Sequence, residues 1–526
     1  MSRAVRVALL AALAVACGVT GCGKSYDLEA VRARAEEMST KILEALYDSS
    51  ARGEPSRVAD IFLEYEDLSD PDLARYVGKV RDRESDPRMK KQLDYLFFDV
   101  VGTVVYKDLA PIGDEISDLE ASSVVRVNGE DIAYRDLGNR LFNETESALR
   151  ESLYIAQGRF DVAKTNPLRA EMARLQREKL REYGYKDLDT LEAERRHLDF
   201  DAFGRQADAF LADTRDMYWE LSNEAARSVF GVDVTKVSDY DRGRLFRAEE
   251  YDRYFPAERM LPLVRETLAG MGIDLAAIPA VSIDDEDRPE KEPRAASYPV
   301  KPGKDVRILM KPIGGVNDYE TLLHEMGHAL NDALLTVPEY EFQRLGDYGT
   351  TEAYAYIFET LMADPVFLEK SGLITDPVVR TRFLRQQLFD DLAGARYYSA
   401  LFGYERSLHK GGLSDEQLVA AYKERMETAR LVPLAHPDFG YMSSNEDFYG
   451  VNYLEAWFLA AQLRAVLRDR FGVEWWKSPE AGSFLKELWA LGAELSPVEV
   501  AQRIGFGGIG PESYLKELKA AFTAYR

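Results

Sequence analysis

Two histidines and a glutamate lie at the spacing that a catalytic zinc ion requires. His324 and His328 are four residues apart in a stretch with apolar residues at helical spacing and no proline. Residues four apart share one face of a helix, so both imidazoles can reach the same metal ion. Glu325 follows the first histidine and can contact a metal-bound water without ligating the metal. The pattern predicts one zinc ion per chain, with Glu325 as the general base of a hydrolysis.

A glutamate downstream of the histidines is the predicted third ligand. Glu352 lies 24 residues after His328 in a second helical stretch, and a loop of this length can turn the chain back. Zinc hydrolases use three protein ligands and one open position, and His, His and Glu is one known set. Glu359, two turns further along the same helix, suits an acceptor that holds a ligand imidazole in one tautomer. The predicted ligand set is therefore His324, His328 and Glu352.

Helical periodicity dominates the rest of the chain and predicts a mainly α fold. Residues 168–183 and 206–230, for example, alternate apolar stripes with charged faces. Short β-like stretches occur at 123–127, at 280–283 and on both sides of the Pro-Gly-Lys sequence at 302–304. We expect the last pair to form a hairpin that leads into the zinc helix.

The chain around the zinc motif resembles the zinc oligopeptidase family of thimet oligopeptidase, neurolysin and oligoendopeptidase F. The seven-residue step from Glu352 to Glu359 is the same as the step typical of that family. The resemblance is specific to this family from about residue 240 to residue 470. Angiotensin-converting enzyme, a more distant zinc peptidase, also has HEMGH with a glutamate 24 residues later. The segments that precede HExxH in the order typical of the family are 294–300, 306–312, 314–315 and 318–319.

The resemblance implies an architecture and a function. The expected fold is an elongated helical ellipsoid with a deep substrate channel and a small β-sheet beside the zinc helix. Residues 22–230 are expected to form one wall of the channel, and residues 231–526 the catalytic region. A narrow channel admits short peptides and excludes folded proteins. The implied function is a monomeric zinc metallopeptidase that hydrolyses short peptides, with endopeptidase and exopeptidase action both open.

The resemblance also implies residues that bind the substrate and the transition state. In the family, a histidine followed by several tyrosines donates hydrogen bonds to the substrate carbonyl and the tetrahedral intermediate. His436 and Tyr441 match that spacing, and either Tyr449 or Tyr453 is the expected donor to the oxyanion. The stretch from Tyr441 to Tyr449 is longer than in the family. In such peptidases a strand beside the zinc helix pairs with the substrate backbone. Its expected residues are Ala295, Ala296, Ser297 and Tyr298.

Two of the remaining histidines are not expected to bind metal. His197 lies at the end of the charged run at 192–196, which is expected to be a solvated helix face. His409 is expected at a helix C-terminus, where a cation is favourable.

The first residues resemble a bacterial lipoprotein signal. A positively charged start precedes an apolar stretch at 7–17, which is too short to span a bilayer comfortably, and residues 19–22 resemble the lipobox. This predicts removal of residues 1–21 and lipid attachment to Cys22, with an ordinary secretory signal as the alternative. Because Gly23 follows, the resemblance implies an outer-membrane anchor that faces the periplasm if the source is Gram-negative.

Composition supports a large globular body and excludes one class of partner. With 46% apolar and 11% aromatic residues, the chain can bury a substantial core. The formal net charge of −24 argues against nucleic acid as a partner, and no basic cluster offers a phosphate-binding surface. Membrane attachment is therefore expected through the lipid on Cys22 alone.

Two functions fit the sequence. One is a lipid-anchored zinc peptidase, and the other is a catalytically idle lipoprotein that keeps the fold and binds peptides or envelope components. Both histidines, Glu325, Glu352 and a downstream histidine with tyrosines are all present. A degenerating site would usually have lost one of these parts, so the sequence favours the enzyme.

Overall fold

The computed structural model describes residues 24–526, and this part of the chain is mainly α-helical, as predicted. The predicted signal peptide at 1–21 and the predicted lipid site Cys22 lie outside the described residues. Within 24–526 no helix has the length and apolar character needed to cross a membrane.

The helices are α1 (Leu28–Arg52), α2 (Val58–Glu64), α3 (Pro71–Arg81), α4 (Pro87–Ser122), α5 (Tyr134–Asn143), α6 (Ser147–Phe160), α7 (Asn166–Arg181), α8 (Leu188–Arg195), α9 (Phe200–Asp213), α10 (Arg215–Phe230), α11 (Met260–Gly270), α12 (Val316–Leu334), α13 (Tyr340–Arg344), α14 (Tyr348–Glu359), α15 (Pro365–Lys370), α16 (Pro377–Lys410), α17 (Asp415–Arg430), α18 (Pro437–Gly440), α19 (Tyr449–Phe471), α20 (Pro479–Trp489), α21 (Pro497–Arg503) and α22 (Glu512–Ala524). The strands are β1 (Val124–Val127), β2 (Glu130–Ala133), β3 (Val281–Asp284), β4 (Ala296–Lys301) and β5 (Asp305–Leu309).

The described chain forms two compact units, each assembled from separated stretches. Residues 230 and 231 both belong to the second unit, and the expected roles of 22–230 as a channel wall and of 231–526 as the catalytic region stay predictions. Unit 1 comprises the described residues up to Tyr106, Glu249–Leu384 and Glu455–Tyr514. Unit 2 comprises Lys107–Ala248, Arg385–Leu454 and Leu515–Arg526.

The three-stranded sheet of unit 1 contains the predicted hairpin. Strands β4 and β5 pair antiparallel, β3 pairs parallel with β5, and β4 is therefore an edge strand. Gly303 in the turn has a φ of 73°, which favours glycine. Its N–H donates to the carbonyl of Asp332 in α12 at 2.7 Å. The hairpin is thereby attached to the helix that carries HExxH.

Part of the outer edge of β4 is closed. The guanidinium of Arg344 donates to the carbonyl of Pro299 at 3.0 Å and to that of Val300 at 2.7 Å. Pro299 has no N–H to offer to another strand. Pairing along this edge is thus restricted at its C-terminal end.

Helices α12 and α14 approach closely because residue 327 is a glycine. A Cβ at Gly327 would lie 2.5 Å from the Cα of Ala355 and 2.7 Å from the carbonyl oxygen of Tyr354. Helix α14 begins at a side-chain cap, where Asp347 accepts the N–H of Gly349 at 2.9 Å. The buried apolar face of α12 includes Leu322, Leu323, Met326, Ala329 and Leu330.

A second small sheet lies in unit 2. Strand β1, predicted at 123–127, pairs antiparallel with β2, which the sequence analysis missed. The turn is Asn128-Gly129, with φ values of 49° and 93°. An Asn-Gly pair of this kind is typical of a two-residue hairpin turn, and it was the available signal.

Candidate metal centre

The three predicted metal ligands converge in unit 1. Nε2 of His324 lies 3.1 Å from Nε2 of His328, and Oε2 of Glu352 lies 3.3 and 3.7 Å from these two nitrogens. Ligand atoms of a tetrahedral zinc with bonds of about 2.0–2.1 Å are themselves about 3.3 Å apart. The triangle therefore has the size that a zinc ion requires. Across residues 24–526, no other group of His, Cys, Asp or Glu side chains has this spacing.

Hydrogen bonds behind the imidazoles orient them toward that point. Nδ1 of His324 lies 2.6 Å from Oε2 of Glu359, and Nδ1 of His328 lies 2.9 Å from Oγ1 of Thr351. An ionised carboxylate only accepts, so Nδ1 of His324 carries the proton and its Nε2 is left to bind the metal. The role of Thr351 was not predicted, although the residue directly precedes Glu352 in the sequence.

The electrostatics of the cluster favour a bound cation. Burial disfavours the charged imidazole of His324, yet hydrogen bonds to Glu352 and Glu359 outweigh it and hold the pKa of His324 well above its ordinary value. Burial alone would raise the pKa of Glu352, but the two imidazoles lower it far below its ordinary range. An ionised carboxylate and two imidazoles at this spacing are the donor set of a divalent metal such as zinc. The residues present therefore fit the metal.

Glu325 contacts the edge strand and not the ligands. Its Oε2 accepts the main-chain N–H of Ser297 at 2.7 Å. This main-chain contact was not predicted, because a sequence pattern carries no information about backbone donors of a distant strand. The hydroxyl of Ser297 is itself buried, with no hydrogen-bond partner in the described part of the chain. Glu325 therefore lies beside a residue whose main-chain N–H it accepts and whose buried hydroxyl has no partner in the described part of the chain.

The other predicted substrate-binding residues surround Ser297. Ala296 is the first residue of β4, and Ala295 directly precedes it. Tyr298 is buried, its ring lies edge-on to that of Tyr47 at 5.5 Å, and burial raises its pKa to about 12. The side chain of Tyr298 is therefore a packing group, so any contact with a peptide would use its main chain.

His436 and Tyr441 lie in unit 2, around the short helix α18. The ring of His436 stacks on Phe439 with centroids 4.6 Å apart and planes at 8°. Tyr441 is buried, and its carbonyl accepts a hydrogen bond from the hydroxyl of Tyr404.

Tyr449 and Tyr453 lie one turn apart at the start of α19, also in unit 2. Their rings are 5.4 Å apart at 80°, and Tyr453 also packs against Tyr398 at 5.1 Å. Both are half-buried, so the choice between them as the oxyanion donor stays open.

Two expectations about charged groups were wrong. His409 does lie in the last turn of α16, but it is 0% exposed, and its Nε2 lies 2.8 Å from Oδ1 of Asn445. Burial lowers its pKa, which favours the neutral imidazole over the expected cation. In the charged run, His197 is exposed, but Glu192 is buried and Arg196 is only 1% exposed. That run is therefore not a solvated face.

The candidate site consists of a ligand triangle, a glutamate beside it and an edge strand that holds this glutamate. Its two halves on α12 and α14 are joined at Gly327. No model of a protein family matches this chain, and no curated protein matches it either.

Proposed function

We propose that this protein is a zinc metallopeptidase that hydrolyses short peptides. The observation that carries the proposal is the triangle of His324, His328 and Glu352, with sides of 3.1, 3.3 and 3.7 Å, beside Glu325. Three protein ligands with an adjacent carboxylate are the composition of a hydrolytic zinc site, in which the fourth position stays open for water. The resemblance to the zinc oligopeptidases supplies the substrate class.

The residues of unit 1 divide the chemistry among them. A zinc ion held by the three ligands would polarise the scissile carbonyl and lower the pKa of water towards about 7. Glu325 takes the proton of the attacking water and passes it to the leaving amine. The N–H of Ser297 fixes one carboxylate oxygen of Glu325 and so limits its rotation. An extended peptide pairs through its main chain with the open part of β4.

The tyrosines and His436 form the second part of the proposal. Tyr449 or Tyr453, together with His436, donates hydrogen bonds to the oxygen that becomes negatively charged in the transition state. Such donors act mainly on kcat, because the charge they stabilise is absent in the bound substrate. A channel that admits only unfolded short peptides, and a monomeric state, complete the proposed enzyme.

The test compares wild type with Glu325→Gln in zinc content and in hydrolysis of a quenched-peptide library. We expect stoichiometric zinc in both proteins and a loss of about 10²–10⁴ in kcat in the variant, because only the general base is removed. Glu266→Gln, which removes a carboxylate from an exposed ion pair of unit 1, is the control and should behave as wild type. Zinc binding without hydrolysis in wild type would favour the idle peptide-binding lipoprotein instead.

We also propose a lipid anchor on Cys22, which lies outside the described residues. The protein is then held at the bacterial cell envelope, on the periplasmic face of the outer membrane if the source is Gram-negative. Cys22→Ser should abolish labelling by a radioactive fatty acid and leave peptidase activity unchanged. Labelling that persists in Cys22→Ser would refute the anchor without affecting the proposed chemistry.

A further inference from the structure

The segment directly before α19 contains two consecutive residues in the left-handed region. Asp447 has a φ of 52° and Phe448 a φ of 63°. Asp tolerates this region, but for a bulky side chain such as Phe the conformation is a true outlier. A conformation of this kind persists only where surrounding contacts enforce it. Residues 445–448 form this left-handed turn.

Two buried side chains of α16 hold the left-handed turn from one side. Glu405 is 1% exposed, and its Oε1 accepts the main-chain N–H of Glu446 at 2.6 Å. His409, one helical turn further along α16, contacts Oδ1 of Asn445 through Nε2 at 2.8 Å. The amide of Asn445 in turn donates to Oδ1 of Asp447 at 2.9 Å. The turn is thus bound at successive residues by groups that are closed to water.

A buried arginine holds the end of the turn and the start of the helix. Arg196 donates to the carbonyl of Phe448 at 3.2 Å and to Oδ1 of Asn452 at 2.5 Å. Its Nε also contacts Oε2 of Glu192 at 3.1 Å, which compensates the buried charge. The ring of Phe448 is fully buried and packs against Phe200 at 5.3 Å.

These contacts converge on the residues that flank the proposed oxyanion donors. Phe448 directly precedes Tyr449, and Asn452 directly precedes Tyr453. We propose that Arg196, Glu405 and His409 are positioning residues, which hold the left-handed turn so that Tyr449 and Tyr453 keep the orientation required to stabilise the oxyanion. This inference rests on the proposed function and deepens it.

The composition of the turn supports a role beyond reversing the chain. A glycine at 447 or 448 would adopt the same φ without steric cost. The chain instead carries Asp447 and the strained Phe448, and three buried polar side chains bond to the turn or to its flanking residue. The unfavourable free energy of the strained backbone and of the buried polar groups thus falls on the turn that directly precedes Tyr449.

The experiment uses matched substitutions at Asp447 in the full-length protein. Asp447→Val should lower kcat about tenfold or more and leave KM within about threefold, because a β-branched residue resists the left-handed region and a transition-state donor is displaced. Asp447→Gly should stay within about threefold of wild type, because glycine accepts the same φ. Zinc content should be unchanged in both.

A control separates turn strain in general from strain at this turn. Asn128 has a φ of 49° in the β1–β2 hairpin of the same unit. Asn128→Val should lower the unfolding midpoint and leave kcat unchanged. Should Asp447→Val fail to fold, the pair Glu405→Leu and Glu405→Gln gives the same test, since glutamine keeps the oxygen that accepts the N–H of Glu446. The leucine variant should lose kcat, and the glutamine variant should retain it.

The outcomes distinguish this inference from the proposed function. Hydrolysis that depends on Glu325 but is unaffected by Asp447→Val or Glu405→Leu would overturn the positioning role alone. Loss of zinc, or a rise in KM equal to the fall in kcat/KM, would also overturn it, because the turn would then act on binding. A wild-type protein without hydrolysis that depends on Glu325 would overturn both.

Discussion

The metal centre in unit 1 and the left-handed turn in unit 2 are built in opposite ways. At the metal centre, side chains of two regular helices converge, and the packing of α12 against α14 at Gly327 sets the distances between them. At the turn, irregular main chain is held by two buried side chains of α16, Glu405 and His409, and by Arg196 between α8 and α9. The proposed metal centre brings three ligand atoms to one point, whereas the polar groups at the turn mostly bond within the protein, although Nδ1 of the buried His409 has no hydrogen-bond partner among the described residues.

This difference indicates that the two sites depend on different conditions. The proposed metal centre would require close helix packing and a divalent ion, and it should respond to small changes in side-chain volume. The turn requires intact buried hydrogen bonds, and it responds to protonation and to backbone preference. Substitutions at one site should therefore leave the defining property of the other unchanged.

Removal of a ligand should have the largest effect. His324→Ala leaves two ligands, so bound zinc should fall from stoichiometric to trace levels and hydrolysis should be abolished. Metal analysis after gel filtration, together with the peptide assay, measures both. Stoichiometric zinc in this variant would show that the metal binds elsewhere.

A single methyl group between the helices should have the next largest effect. In Gly327→Ala the new Cβ meets Ala355 at 2.5 Å, so α12 and α14 must separate. We expect about 1–3 kcal/mol of destabilisation, as for overpacking of a core, and at least tenfold weaker zinc binding. Gly102→Ala in α4 is the control, because no atom lies within 4 Å of its Cβ position, and a helical alanine should be neutral or stabilising there. Equal zinc affinity in the two variants would contradict this account of the packing.

Loss of the carboxylate behind His324 should have a moderate effect. Glu359→Gln replaces the acceptor of the Nδ1 proton by a neutral amide, which should weaken zinc binding about tenfold to a hundredfold. A competition titration with a chromogenic chelator measures the change. Glu369→Gln, which removes an exposed partner of Arg380, should leave the affinity unaltered.

Glu405→Gln should have the smallest effect on activity at neutral pH. It should, however, change how the stability of the protein depends on pH. Burial raises the pKa of Glu405 to about 8 from an ordinary value near 4.5, and the charges of Asp447 and Glu446 act in the same direction. The stability contributed by the protonated carboxyl is complete below pH 4.5 and is lost as pH rises through about 8. Glutamine does not titrate.

The free energy of unfolding of Glu405→Gln minus that of wild type should therefore increase from pH 5 to pH 8, by no more than about 1.4 kcal/mol per pH unit. Denaturant unfolding at several pH values measures it. Parallel pH profiles of the two proteins would contradict the buried, protonated state of Glu405.

The sequence predicted those parts of the molecule whose geometry is local. The spacing of His324 and His328 on α12 is fixed by helix geometry, and the Pro-Gly-Lys sequence at 302–304 indicated the hairpin. Glu352 could be proposed because zinc needs a third ligand. Each of these predictions used a rule that acts over a few residues or a known ligand number. The roles of the site residues in catalysis remain predictions.

The features that the sequence did not reveal depend on long-range burial. Arg196 lies in a run of charged residues that looks solvated, and its partner Asn452 is 256 positions away. Glu405 is likewise buried, and its hydrogen-bond partner Glu446 is 41 positions away. The bond from Ser297 to Glu325 uses a backbone donor, which no side-chain pattern records. The division into two units likewise arises from contacts between distant stretches.

The closed end of the edge strand β4 bears on the behaviour of the protein at high concentration. An open strand edge is a template on which a second molecule can add a strand, and such contacts lead to aggregation. Here Pro299 cannot donate, and Arg344 occupies the carbonyls of Pro299 and Val300. Two copies of the chain therefore cannot join their sheets along the full length of this edge. The proline and the arginine thus protect part of this edge against strand addition by another copy of the chain.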